Sequence, residues 1–154
     1  MKVLILYASI TGNAKGMARI LVQFFEHFHA EVTLGEMQQT DAAKLLDYDA
    51  VILSTYTWSG GVIPEETQDF YEDLKTLDFS KKPLVFGIAG TGDKFYGQDR
   101  YNTAPDHFAA VLTQSGAIQG ASPIKIEQGA TQADMPAFNA FTQAVMAKVA
   151  SLQH

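Results

Sequence analysis

The stretch Ser9-Ile10-Thr11-Gly12-Asn13-Ala14 sets small polar residues and a glycine between an apolar run and an amphipathic one. A loop that leaves a buried strand and opens a helix directs its unbonded amide N–H groups to one spot, beside the positive end of the helix dipole. The hydroxyls of Ser9 and Thr11 add donors, and the whole suits a phosphate. Neither the G-x-x-x-x-G-K-[ST] nor the G-x-G-x-x-G pattern occurs, and the loop has no basic residue before Lys15, so a monophosphate fits best. An ordinary strand-to-helix turn also uses Asn and Gly for tightness. Two further stretches weigh against that plainer reading.

Thr55-Tyr56-Thr57-Trp58-Ser59-Gly60-Gly61 carries the only tryptophan of the chain, and Gly90-Thr91-Gly92-Asp93-Lys94-Phe95-Tyr96 places aromatics beside a glycine turn. Offset stacking between Trp58 and Tyr96 would hold a planar ring. Packing against a neighbouring loop explains either aromatic alone; both together, beside a phosphate cradle, favour a flat phosphorylated ligand.

Other chemistries are poorly provided for. The 154 residues contain no cysteine, which excludes disulfides, thiolate zinc sites, cysteine-held iron–sulfur clusters and thiol redox chemistry. The net charge of −6 disfavours nucleic acid and anionic lipid. His27, His29, His107 and His154 are scattered without carboxylates at ligand spacing, so no metal site is expected. Ser115 lacks evident His and acid partners for a hydrolase triad. Val3 to Ala8 is too short for a membrane span or a secretory leader, and a soluble cytoplasmic protein, monomeric by default, is expected.

The elements that must position these loops follow from periodicity. Val3–Ala8, Ala50–Ser54 and Pro83–Ala89 are unbroken apolar runs, as in strands buried on both faces. Glu31–Met37 reads as an edge strand, and Ala117-Ile118 with Ile124-Lys125-Ile126 as a last strand split at Gly120 and Pro123. Between them Met17, Leu21, Phe24, Phe25 and Phe28, then Phe70, Leu74 and Leu77, recur at helical spacing. Thr40-Asp41 would cap a short helix through Leu46. Thr103 with Asp106 would form a capping-box-like start for a helix carrying Phe108, Val111 and Leu112, and Asp134 with Pro136 would open a terminal helix. Five strands alternate with five helices in one domain over residues 1–154. The alternation predicts a parallel sheet with helices on both faces and ligands beyond the carboxyl ends of its strands.

Ser9-x-Thr11-Gly12-Asn13, then Thr55 to Trp58 with Pro64 opening a helix, then Gly90-x-Gly92-Asp93-x-x-Tyr96, resembles flavodoxin over nearly the whole chain. The single short connection between Ile118 and Ile124 is similar to that of the short-chain members. Flavodoxin is itself the type example of a three-layer αβα fold with sheet order 2-1-3-4-5 and FMN at the switch point, and that order is carried over from the family. The resemblance implies that Ser9, Ile10, Thr11, Gly12, Asn13 and Ala14 bind the FMN phosphate, largely through backbone amides. It implies that Thr55, Tyr56 and Thr57 lie at the phosphate and ribityl end, and that Trp58 and Tyr96 sandwich the isoalloxazine. Ser59, Gly60 and Gly61 would then lie beside flavin N5, with Gly90, Thr91, Gly92 and Asp93 along the polar edge of the ring.

The activity so implied is single-electron transfer between a reductase and acceptor enzymes, with FMN alternating between semiquinone and hydroquinone. A Ser59 carbonyl turned toward N5–H, with Gly60 free to adopt positive φ, would favour the first reduced form. The family commonly reads Gly-Asp-Gly-Glu where this chain has Ser59, Gly60, Gly61 and Val62; with two carboxylates missing and Lys94 near the ring, the second potential is expected to be less negative than in acidic members. Ala14 replaces a hydroxyl residue, at a cost of one hydrogen bond. Residues 36–78 carry ten carboxylates against two lysines, and Glu65, Glu66, Asp69, Glu72 and Asp73 near Trp58 would steer basic partners such as flavodoxin reductase. The alternative is an FMN-dependent NAD(P)H:quinone oxidoreductase of the same fold, which needs an open face over the ring. A phospho-accepting receiver needs acids where this chain has Ser9 and Ser54.

Overall fold

A computed structural model describes residues 1–57, 63–92 and 103–153. Strand β1 spans Lys2–Tyr7, helix α1 Asn13–His27, β2 Glu31–Glu36, β3 Ala50–Tyr56, α2 Gln68–Leu74, β4 Val85–Gly92, α3 Ala104–Gln114, β5 Ile118–Gln119, β6 Ile124–Glu127 and α4 Met135–Leu152. All pairings are parallel, in the order β2-β1-β3-β4-β5, with β6 also on β4. The split last strand is as expected from sequence: β5 pairs with Val85 and Phe86, and β6 with Ala89 through Gly92. Gly120 makes the break possible, because a Cβ there would lie 2.6 Å from Val85 Cγ1 and 3.2 Å from Val145 Cα.

The continuous apolar runs are explained by two cores, one on each face of the sheet. Val3, Ile5, Ala50 and Ile52 meet Met17, Leu21 and Phe25 of α1 and Phe138, Phe141, Val145 and Val149 of α4. Leu4, Leu6, Val51 and Leu53 meet Phe70 and Leu74 of α2 and Phe108, Val111 and Leu112 of α3. Alternate side chains of each strand therefore feed opposite cores, and the chain is a three-layer α/β/α fold of flavodoxin type. Among the described residues, no helix is long and apolar enough to cross a membrane.

One expectation about helix starts holds and another is corrected. The short helix capped by Asp41 is a 3-10 helix over Ala42–Asp47, with the Asp41 carboxylate accepting the Ala43 N–H at 3.0 Å. Its two buried residues, Ala42 and Leu45, stand three apart, the period of a 3-10 helix. The capping-box-like start of α3 is absent. Thr103 has helical dihedrals (φ −93°, ψ −14°), its side chain makes no capping hydrogen bond, and Asp106 pairs instead with Lys125 at 2.7 Å. A capping box does form one helix later, between Thr131 and Asp134, just ahead of α4.

Candidate functional site

The cradle begins where β1 stops. Ala8 N–H still donates to the Ser54 carbonyl of β3 (3.0 Å), and the chain then bends through Ser9–Gly12 into α1. The buried Ser54 hydroxyl donates to the Ala14 carbonyl at 2.7 Å, so β3 holds the first turn of α1 in place. Gly12 sits at the N-cap with φ +94°, a left-handed conformation that favours glycine. Its N–H donates to Ser9 Oγ (3.0 Å), and its carbonyl accepts the Gly16 N–H (2.8 Å). Helix geometry then leaves the amides of Asn13, Ala14 and Lys15 without an intrahelical acceptor.

These three amides open at the positive end of a 15-residue helix whose first turn carries no acidic side chain. By contrast, Asp69 and Asp106 occupy the first turns of α2 and α3. A Cβ built on Gly12 would meet nothing within 4 Å, so the mouth is open. Lys15 lies over the Tyr7 ring, 5.8 Å from its centroid. The donors present, three amides with the Thr11 hydroxyl, fit the phosphate of a mononucleotide. Ser9 Oγ accepts the Gly12 N–H, which steadies the turn and leaves the Ser9 O–H as a donor. Ile10 is 63% exposed.

The ends of β3 and β4 lie side by side, Thr55 opposite Gly90 and Tyr56 opposite Thr91. Thr55 is fully buried, and its hydroxyl donates to the Tyr56 carbonyl at 3.0 Å. The Tyr56 phenol donates to both carboxylate oxygens of Glu66, at 2.8 and 2.9 Å. Burial, then that hydrogen bond and the charges of Glu66 and Glu65, push the phenol well above its ordinary value. Thr57 N–H donates to the Thr91 carbonyl (3.1 Å), and Thr57 Oγ1 accepts the Ala104 N–H at the start of α3 (3.0 Å). Gly90, Thr91 and Gly92, expected in a turn, are instead the last three residues of strand β4, tied to the end of β6: Thr91 Oγ1 donates to the Gln128 carbonyl, and Gln128 N–H to the Gly92 carbonyl (3.0 Å). Trp58, Ser59, Gly60, Gly61, Asp93 and Tyr96, expected to hold the ring, lie outside the described residues.

Sequence reasoning missed three contributors. Ser54 anchors the cradle, Glu66 receives the Tyr56 phenol, and Gly129 faces Asn13, where an added Cβ would lie 3.1 Å from Asn13 Oδ1. Ser54 has a signal, a hydroxyl residue ending an apolar buried strand. Gly129 has none, because its neighbour is distant in sequence.

A doubly wound sheet with an amide cradle at the switch point between β1 and β3, on a helix whose first turn carries no acidic side chain, defines a mononucleotide-binding domain. Comparisons with known proteins narrow the class. The flavodoxin family profile matches residues 5–141. Probable flavodoxin 1 of Bacillus subtilis (strain 168) is 31% identical over 147 residues, covering 95% of this chain and 90% of the relative. The solved structure of a short-chain flavodoxin associated with a non-canonical PDU bacterial microcompartment superposes with a TM-score of 0.91 at 34% identity, covering 97% of this chain and 99% of the other. Flavodoxin from Streptococcus pneumoniae TIGR4 gives 0.89 at 32% identity, covering 96% and 99%. The chain belongs to the flavodoxin family, on its short-chain side. Flavodoxins bind FMN, carry electrons rather than turn over a substrate of their own, and work with other redox proteins.

Proposed function

We propose that this protein is a low-potential carrier that takes single electrons from a reductase and delivers them to acceptor enzymes, with FMN held by residues 9–14, 55–61, 90–93 and Tyr96. The observation that carries this reading is the amide cradle at the mouth of α1, with no acidic side chain in the first turn of the helix and with the ends of β3 and β4 at the same edge of the sheet. Bound FMN would supply redox chemistry in one-electron steps. The chain's own part is to bind and to shield. Asn13, Ala14 and Lys15 amides hold the phosphate, Ser54 keeps the first turn of α1 from shifting, and the aromatic segments exclude water from the ring. Glu65, Glu66 and Asp69 are exposed beside the Trp58 segment and suit a basic partner.

Purified protein is expected to be yellow, and dithionite titration to reduce it in two separable one-electron stages. With NADPH and a quinone it is expected to turn over only after a reductase is added; rapid turnover without one would instead identify a quinone oxidoreductase. A colourless protein that refuses micromolar FMN would end the carrier reading.

A further inference from the structure

We propose that Thr57 is a positioning residue that ties the two ring-holding segments together, and that its hydroxyl serves the ring end of the flavin and not the phosphate. The inference deepens the carrier reading and rests on it. Thr57 stands immediately before residues 58–62. Its backbone N–H donates to the Thr91 carbonyl, two positions before the segment 93–102 departs, and its Oγ1 accepts the Ala104 N–H, just after that segment returns. One residue thus holds three of the four chain ends from which the aromatic segments spring.

The hydroxyl bond fills a real vacancy in the backbone. Ala104 is the first residue of the 11-residue helix α3, and its amide needs an acceptor from outside the helix. Thr103 makes no side-chain cap, and Thr57, 47 positions earlier, supplies an oxygen to the first amide of the helix from outside it. A cap borrowed from a neighbouring loop couples the position of the helix to that loop. The cradle at residues 9–14 has its own amides and its own anchor, Ser54, and needs nothing from Thr57.

The test uses apoprotein prepared from the holoprotein, titrated with FMN and with riboflavin, which has the ring without the phosphate. Thr57→Val, which keeps the shape but loses the acceptor, is expected to weaken both flavins by the same factor, about five-fold, leaving the FMN-to-riboflavin affinity ratio unchanged. Thr57→Ser restores both. In the unmutated protein, riboflavin is expected to slow hydrogen exchange at the Ala104 amide while inorganic phosphate does not, because coupling between two sites is reciprocal. A Thr57→Val protein weakened for FMN alone, or not weakened at all, overturns the inference, as does Ala104 exchange that ignores riboflavin. Wild-type apoprotein that binds neither flavin overturns the carrier reading together with it, so the two failures are told apart.

Discussion

At the scale of single residues, Gly12 and Gly16 separate backbone conformation from space. A Cβ would meet nothing within 4 Å at either position, yet only Gly12 has positive φ. Gly12→Ala is therefore expected to lower apoprotein stability by about 1–2 kcal/mol through the left-handed backbone alone. Gly16→Ala, inside α1, should raise it by about 0.5–1 kcal/mol. Urea unfolding of the two variants checks this, and shifts of equal sign would contradict it. Tyr56 gives a pH dependence. Burial, its bond to Glu66 and the adjacent charges raise the phenol above its ordinary value, so the native chain holds a proton that the unfolded chain releases. The contribution is complete below about pH 10, the unfolded value, and is lost as pH rises above it. Between about pH 10 and 11 the wild type should lose stability more steeply than Tyr56→Phe, every other group being common to both; parallel slopes would refute the assignment.

At the scale of elements, the contact of α4 with β4 depends on a missing side chain. A Cβ on Gly87 would lie 2.5 Å from Phe141 Cζ and 3.2 Å from Ile52 Cδ1, inside the packed core. Gly87→Ala is expected to cost about 1–3 kcal/mol by overpacking, and adding Phe141→Leu should recover part of that loss, a coupling that denaturant midpoints of the single and double variants measure. Contacts of this long-range kind are also why the sequence is unevenly legible. The buried strands declare themselves because a short unbroken apolar run, bounded by turn residues, suits an element covered on both faces. The cradle declares itself because Ser9 to Ala14 are contiguous. The cap on α3 misleads because Thr103 and Asp106 carry the local pattern, while the oxygen in use belongs to Thr57 on another loop. The residues after Asp41 mark a short helix without fixing its type, because Ala42 and Leu45 satisfy both a three-residue and a mixed three-and-four period. Ser54 stands out as a hydroxyl closing an apolar run, but its partner Ala14 does not, and the pairing of Gly129 with Asn13 has no sequence-local trace at all.

At the scale of the whole molecule, charge is segregated. Residues 36–78 hold ten carboxylates and two lysines, which leaves the remainder of the chain net positive. Not all of those acids are equally available for docking. The Glu66 carboxylate accepts the Tyr56 phenol, and Glu72 pairs with Lys75 at 3.0 Å. Glu65, Asp69 and Asp73 are exposed, make no ion pair among the described residues, and follow the loop after β3 in the chain. Asp47 is equally exposed but precedes β3, and a seven-residue strand at about 3.3 Å per residue separates it from the cradle end by roughly 20 Å. That is about two Debye lengths at 0.1 M salt. Electron transfer from a reductase with a basic docking face should therefore slow as ionic strength rises, and neutralising Glu65, Asp69 and Asp73 together should lower the rate at low salt and flatten its salt dependence. Asp47→Asn should leave both nearly unchanged. Stopped-flow rates across a salt series decide it: if the triple variant keeps the wild-type slope, or Asp47→Asn flattens it as much, the partner is steered by net charge and not by this face.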